Sequence, residues 1–370
     1  MTSATEIIAL PRRDRLRPVR LWLYGIAVMV LLMVLVGGAT RLTDSGLSIT
    51  SWKPVAGIIP PLTPSDWSAE FQAYQQIPEF ELVNRGMSLE EFKTIFWWEW
   101  GHRGLGRLIG VVFFVPFLVF LWQRRLSWRL APALALLFVL GGLQGALGWW
   151  MVTSGLAGRI DVSQYRLAAH LAAACILFLA LIFVARRIRP PRAGGATAKM
   201  RRAWPVGIFA ALVFVQIVAG AFVAGLDAGL AYNNWPLMDG ALVPDGLFVL
   251  SPWWVNFFEN AATVQLTHRL LAYVIVFAAF WLAIASFRRT AWRGHHVWAP
   301  VIVALTLVQA ALGIATLVLA VPIGLALAHQ GTAFLLAGAS ICWLEDLTRP
   351  TGSPIPPAQD LEIAARSNVA

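Results

Sequence analysis

Eight apolar runs, near positions 19–39, 104–122, 131–152, 164–185, 205–225, 269–287, 298–320 and 322–343, decide what this chain can fold into. A helix needs about 20 apolar residues to cross the hydrocarbon core of a bilayer. Inside lipid a backbone can satisfy its own polar groups only as a helix or a closed barrel. Uninterrupted runs, rather than alternating ones, select the helix. The expected fold is therefore an all-α membrane protein of eight transmembrane helices. Composition agrees, since only 13% of the residues are charged, about half of what a soluble domain carries.

The net charge of +10 would raise nucleic-acid binding in a soluble protein, but its placement gives another reason for it. Arg12, Arg13, Arg15, Arg17 and Arg20 lead into the first run, Arg124, Arg125 and Arg129 separate later runs, and Arg288, Arg289 and Arg293 follow the sixth. Seven more basic residues fall between Arg186 and Arg202. Alternate connections carry the excess, as the positive-inside rule requires of cytoplasmic loops. An even number of spans then places both termini in the cytoplasm, and no nucleic-acid partner is needed. The first run is long enough to remain as an uncleaved span. The residues before it are few and include Glu6 and Asp14, which favours a bacterial inner (plasma) membrane over a mitochondrial leader. Cys175 and Cys342 both lie in apolar runs and read as buried thiols rather than a redox pair.

The chain divides near its middle into two similar halves. Asp44-Ser-Gly-Leu47 is followed by Trp52, and Asp227-Ala-Gly-Leu230 by Trp235 at the same spacing. His102-Arg103 opens the second run and His268-Arg269 the sixth. Gln144-Gly-Ala-Leu-Gly148 matches Gln309-Ala-Ala-Leu-Gly313, and Leu167-Ala-Ala-His170 matches Leu325-Ala-Leu-Ala-His329. The expected organisation is a cytoplasmic segment 1–18, a first four-helix bundle 19–185 with an external loop 40–101, and a linker 186–204. A second bundle 205–343 follows, with an external loop 226–267, and then a cytoplasmic tail 344–370. Four helices per half give both halves one orientation, so a two-fold axis along the membrane normal should relate two pseudo-symmetric bundles.

Of six histidines, His295 and His296 fall in a basic loop and read as solvated surface residues. The other four occupy matched places near the external ends of even-numbered helices, His102 with His170 and His268 with His329. A single imidazole in a span is commonly a hydrogen-bonding core residue, but two symmetric pairs point to a ligand set. Zinc needs three or four protein ligands, and no further Cys, Asp or His repeats beside these. Facing imidazoles in a helix bundle suit axial ligation of a haem iron, one haem per half. Arg103, Arg107 and Arg269 stand near the external interface and could pair with haem propionates or anchor that interface.

The halves differ three residues before their first histidine, where Glu99 faces Gln265 across the repeat. If the helix begins upstream of it, that offset puts Glu99 on the face of His102. A carboxylate there can take up protons or stabilise positive charge during an oxidation, which an amide cannot. Chemistry is therefore expected in the first half.

The stretches Gly37-Gly-Ala-Thr-Arg41-Leu-Thr-Asp-Ser-Gly-Leu-Ser48, Ser51-Trp-Lys-Pro54 and Glu99-Trp-Gly-His102-Arg-Gly-Leu-Gly-Arg107 resemble the haem A synthase family, and the four-histidine repeat extends the likeness over nearly the whole membrane region. The resemblance implies an oxidoreductase that converts the C8 methyl group of haem O to the formyl group of haem A, by successive hydroxylations and loss of water, for use in terminal cytochrome oxidases. Carried over by motif, His102 and His170 would hold the substrate haem O, His268 and His329 a haem b cofactor, and Glu99 would be the catalytic carboxylate. Some members carry a cysteine pair in the first external loop. This chain has none there and is similar to the cysteine-free branch shared by alphaproteobacteria and mitochondria. By the same resemblance, a haem O synthase and oxidase assembly factors are the expected partners besides the lipid bilayer. Two other functions suit a repeated bundle. A bis-histidine dihaem b-type electron-transfer cytochrome would hold both haems permanently, and a transporter would place its charges near the bilayer midplane rather than at the helix ends.

Overall fold

The computed structural model describes residues 14–190, 200–289, 292 and 296–349. Arg12, Arg13, Arg192, Lys199, Arg293, His295 and positions 350–370 of the expected tail lie outside the described residues, as do the side chains of Arg201 and Arg202. The order is α1 (Arg17–Leu42), α2 (Pro64–Tyr74), α3 (Pro78–Leu82), α4 (Leu89–Trp122), α5 (Leu130–Val152), α6 (Gln164–Arg187), α7 (Met200–Gly225), α8 (Asn256–Glu259), α9 (Ala261–Arg288), α10 (Trp298–Val318) and α11 (Ile323–Thr348). Eight of these, all but α2, α3 and α8, are long and apolar enough to cross a membrane. Among the described residues the only extended pairing is an isolated bridge between Met238 and Ala241.

The helices outrun the apolar stretches, most of all α4, which starts fifteen residues before the second run at 104. Its start is set by a capping box in which Ser88 Oγ accepts from the Glu91 amide while the Glu91 carboxylate accepts from the Ser88 amide. The segment that follows is amphipathic rather than uniformly apolar. Phe92, Phe96 and Glu99, spaced four and three apart, form its buried face. Helix α2 begins with a second capping box, Thr63 with Asp66, and Pro64 at its first position. Together α2, α3 and the start of α4 bury Tyr74, Ile77, Phe92 and Phe96 with Leu47 and Ile49 in a small apolar cluster, whereas the corresponding connection of the second half carries, as its only α-helix, the four-residue α8.

The same closed ring of neighbours occurs twice. In the first half α1 packs on α4, α4 on α5, α5 on α6 and α6 on α1; in the second, α7, α9, α10 and α11 repeat that circuit. Helices α6 and α11 meet on the seam, flanked by α6 with α7 and α11 with α1. Asp44 and Asp227, which open the matched Asp-x-Gly-Leu segments, share the same left-handed φ of 48°. Asp tolerates that conformation because its short polar side chain can bond locally.

The seam is also tied by charge. Where the repeat aligns His170 with His329, it aligns Arg186 with Glu345, and these two equivalents meet at 3.5 Å. Arg189 bonds both Glu345 and Asp346, Arg186 bonds Asp346 at 2.7 Å, and Trp298 donates its indole N–H to Asp346. These pairs carry α11 past the apolar run to Thr348. At the other end of the seam Arg41 reaches Asp227 at 2.9 Å and the carbonyl of Ala224.

The main apolar core lies toward the end of the bundle where α1 starts and α11 ends, from Val19 to Val34 on α1, Cys175 to Ala185 on α6 and Phe334 to Leu347 on α11. Cys175 and Cys342 are both free thiols. Near the opposite, loop-bearing end the helices carry the histidines, and no residue of α5 between Leu137 and Val152 is buried.

Candidate functional site

Each histidine sits on the loop-bearing side of its helix, on α4, α6, α9 and α11 in turn. Each also rests on a glycine of the neighbouring helix. A Cβ on Gly37 of α1 would come to 2.9 Å from His102 Nε2, and one on Gly148 of α5 to 3.2 Å from His170 Cε1. In the second half the matched distances are 3.1 Å from Gly220 of α7 to His268 Cε1 and 2.8 Å from Gly313 of α10 to His329 Cε1. Gly37 and Gly220, and Gly148 and Gly313, are equivalent positions of the repeat. Any larger residue would push an imidazole aside, so four glycines fix four ring positions. Gly37, Gly148 and Gly313 stand in the sequence motifs above, where nothing shows that each backs a ring. The signal was there, since they recur at matched places on the odd-numbered spans.

Within the second half the rings of His268 and His329 stand 6.4 Å apart, centroid to centroid, at 76°. Two ring nitrogens each at about 2 Å from one metal would put the centroids close to this separation. Gln216 and Gln309 hold their amide nitrogens 3.3 and 3.5 Å from the Nε2 atoms of His268 and His329. His329 Nδ1 lies 3.2 Å from the Gln309 carbonyl, the outward contact that orients a metal-binding imidazole. In the first half His170 lies within electrostatic reach of His102.

On two of these histidines and on three glutamines, buried polar atoms have no partner among the described residues: Nδ1 of His170 and His268, and Oε1 of Gln144, Gln216 and Gln309. Among the described residues no group of three or more His, Cys, Asp or Glu is gathered for a metal. A bare zinc ion would therefore lack ligands, whereas haem iron, which brings its own equatorial nitrogens, needs only an imidazole pair. The glycine-backed rings and this donor set fit haem in both halves.

Glu99 lies on α4, one turn from His102, and is 3% exposed. All its contacts are donors. Ser48 Oγ and the Ile49 amide donate to Oε2 at 2.8 and 2.7 Å, and Arg103 Nε and Nη2 donate to Oε1 at 3.1 and 2.6 Å. Gln265, its counterpart, is 2% exposed and has a mixed set. Its amide nitrogen donates to the Ala228 carbonyl at 2.6 Å, and its oxygen accepts from Arg269 Nη2 at 3.0 Å. One nest suits a carboxylate, the other an amide.

The arginines named from sequence all hold loops. Arg103 donates to the carbonyls of Ile49 and Ser51 besides Glu99, Arg107 to those of Lys53 and Pro54, and Arg269 to those of Tyr232, Asn234 and Leu237. Among the described residues Arg107 Nη1 and Arg269 Nε have no partner and are buried, so each keeps a donor for an anion. Of the histidine pair assigned to the surface, His296 is exposed beside Phe287 and His295 lies outside the described residues.

The chain matches the family model COX15-CtaA, described as cytochrome oxidase assembly protein, over residues 20–341. It is 55% identical over 346 residues to the "Heme A synthase" of Chelativorans sp. (strain BNC1), covering 91% of this chain and 94% of that protein. The "Heme A synthase" of Allorhizobium ampelinum is 51% identical over 333 residues, covering 89% and 90%. That of Parvibaculum lavamentivorans is 51% identical over 328 residues, covering 89% and 94%.

Proposed function

The chain belongs to the haem A synthase family, a group of multi-pass membrane oxidoreductases of haem A biosynthesis, and on that premise we propose that its first half oxidises the C8 methyl group of haem O to a formyl group. His102 and His170 hold the substrate haem O, and His268 and His329 hold a haem b. One observation carries this division of labour: a carboxylate in an all-donor nest stands one turn from His102, and an amide replaces it in the second half. The loop-bearing side faces away from the cytoplasm of a bacterial inner membrane, with both termini inside. A permanent dihaem cytochrome is not favoured by the family.

The work of this chain's residues follows from their placement. The imidazoles of His102 and His170, backed by Gly37 and Gly148, would hold the substrate haem with Glu99 one turn of α4 away from its ligand His102. Arg107 keeps one buried N–H for a propionate. Methyl oxidation with water as oxygen source releases electrons and protons and builds positive charge at the reacting carbon. The Glu99 carboxylate stabilises that charge and takes up a proton, while Arg103, Ser48 and the Ile49 amide hold it in place. When bound, the second-half haem supplies one-electron transfer. Haem O synthase and oxidase assembly factors are the partners at either end of the reaction.

Haem extraction from the purified protein, followed by chromatography and mass measurement, tests the reading. Haem O, its hydroxylated form or haem A should be recovered together with haem b, and Glu99→Gln should yield haem O with haem b but no haem A. Recovery of haem b alone, in both binding sites, would return the protein to the cytochrome class.

A further inference from the structure

Three carboxylates are buried among the described residues: Glu79, Glu99 and Glu345. Glu345 is paired with Arg189, and Glu99 with Arg103. Glu79 is 5% exposed and, among the described residues, has no cation within ion-pair distance and keeps Oε2 buried without a hydrogen-bond partner. It is the second residue of α3, in the cap found only on the first half. Leaving a carboxyl in that state costs stability, so its retention beside the reacting half calls for a role.

The groups around it run from the buried site to the surface. Glu99 on α4, Asp44 and Arg41 at the end of α1, and Asp161 in the α5–α6 connection all act on Glu79 through their charges, and Glu79 acts in the same way on Tyr74 of α2. The Tyr74 hydroxyl accepts from Asn84 Nδ2 at 2.7 Å, which leaves its own proton free to donate. Asp44 and Asp161 have side chains 68% and 40% exposed and stand 3.4 and 3.7 Å from Arg41. Burial first, then the negative charges of Asp44, Asp161 and Glu99, push the Glu79 carboxyl up to about 8, with Arg41 opposing more weakly. Of the groups in contact with Glu99, Arg103 and the Ile49 amide can only donate and the Ser48 hydroxyl alone can also accept, so a proton that Glu99 gains needs a further acceptor beyond them.

Resting on the role of Glu99 proposed above, we infer that Glu79 relays protons from Glu99 to the aqueous face. Protonated Glu99 passes its proton, by way of the Ser48 hydroxyl or water, to the Glu79 carboxylate and is restored to the ionised form. The Glu79 carboxylic acid then loses that proton to water beside Asp44 and Asp161. Nothing is oxidised or reduced in either transfer. Only ionised Glu79 can accept, so conversion should rise with pH and level off above about 8. In the second half the position of Glu99 is held by Gln265, and among the described residues of the connection 226–260 no carboxylate is buried.

The test uses the full chain in lipid nanodiscs. Without added substrate, infrared pH-difference spectra of 13C-glutamate-labelled protein should show a protonated-carboxyl band that titrates near pH 8. That band should vanish in Glu79→Gln and titrate at lower pH in Glu99→Gln, which loses a negative neighbour. With haem O, Glu79→Gln should bind substrate normally, convert it at least tenfold more slowly and lose the rise toward pH 8, and Glu79→Asp should recover part of the rate. If no glutamate of the wild-type protein titrates between pH 7 and 9, the relay is wrong, whatever becomes of the variant's folding. Native rate and pH profile in Glu79→Gln alongside an inactive Glu99→Gln would sink the relay alone. An active Glu99→Gln would sink the role of Glu99 on which it depends.

Discussion

The two halves share one architecture and differ in what lies above it. Both close a four-helix ring, both start their loop from a left-handed Asp, and both set two imidazoles against two glycines. Both use an arginine after the first histidine to hold that loop, Arg103 in one and Arg269 in the other. The residue between arginine and loop differs, and so do the loops, since only the first half carries α2 and α3 over its site. The loop clamp works with either glutamate or glutamine. What the glutamate adds is charge, so the difference between the halves is one of chemistry rather than of folding.

Exchanging the two residues is the strongest way to break that comparison. Glu99→Gln should lower haem A formation by about 10²–10⁴-fold while total haem per protein is retained. Gln265→Glu should leave conversion within about tenfold of native. Equal losses from both substitutions, measured by haem chromatography, would mean that the position serves loop holding alone. Next in size are the glycines. Gly37→Val should overpack His102 by about 1–3 kcal/mol and deplete haem O, whereas Gly313→Val should displace His329 and deplete haem b. Pyridine haemochrome and mass analysis of each variant would assign the lost haem to its half, and loss of the same haem from both would contradict the assignment.

Gln265→Glu also bears on the second nest, because it turns a donor into an acceptor 2.6 Å from the Ala228 carbonyl. A thermal unfolding shift equivalent to about 1–3 kcal/mol is expected. An unchanged transition would show that this loop is held by Arg269 without help. The smallest effect belongs to the cap of the first half. Thr63→Ala removes a capping box from α2 and should cost about 1 kcal/mol, seen as faster proteolysis or hydrogen exchange in the segment 56–88 with little change at the second half.

Much of the site was legible as pattern. The four histidines and the Glu99–Gln265 contrast follow from aligning the repeat, because equivalent residues of a duplicated bundle occupy equivalent depths. Helix bounds were less legible. The apolar run at 104 marks where α4 needs lipid, but its start at Leu89 is set by the Ser88–Glu91 cap and by the amphipathic Phe92, Phe96 and Glu99 face, neither of which raises mean hydropathy. Glu79 was hidden for a different reason. In the sequence it is one of several acids in a proline-containing loop, and only the packing of α2, α3 and α4 buries it and leaves it unpaired.

Sequence alone determined that the chain spans a membrane eight times, that it is a repeat, and where two imidazole pairs and one unmatched carboxylate lie along it, because these depend on residue type and spacing. Tertiary structure decided which glycine backs which ring, that the three site arginines grip loop carbonyls, that Arg186 meets its own repeat equivalent Glu345 across the seam, and which acid is buried without a counter-ion. Each of these depends on two segments far apart in the chain approaching within a few ångströms. Spacing along a single helix carries no record of what the neighbouring helix brings to meet it.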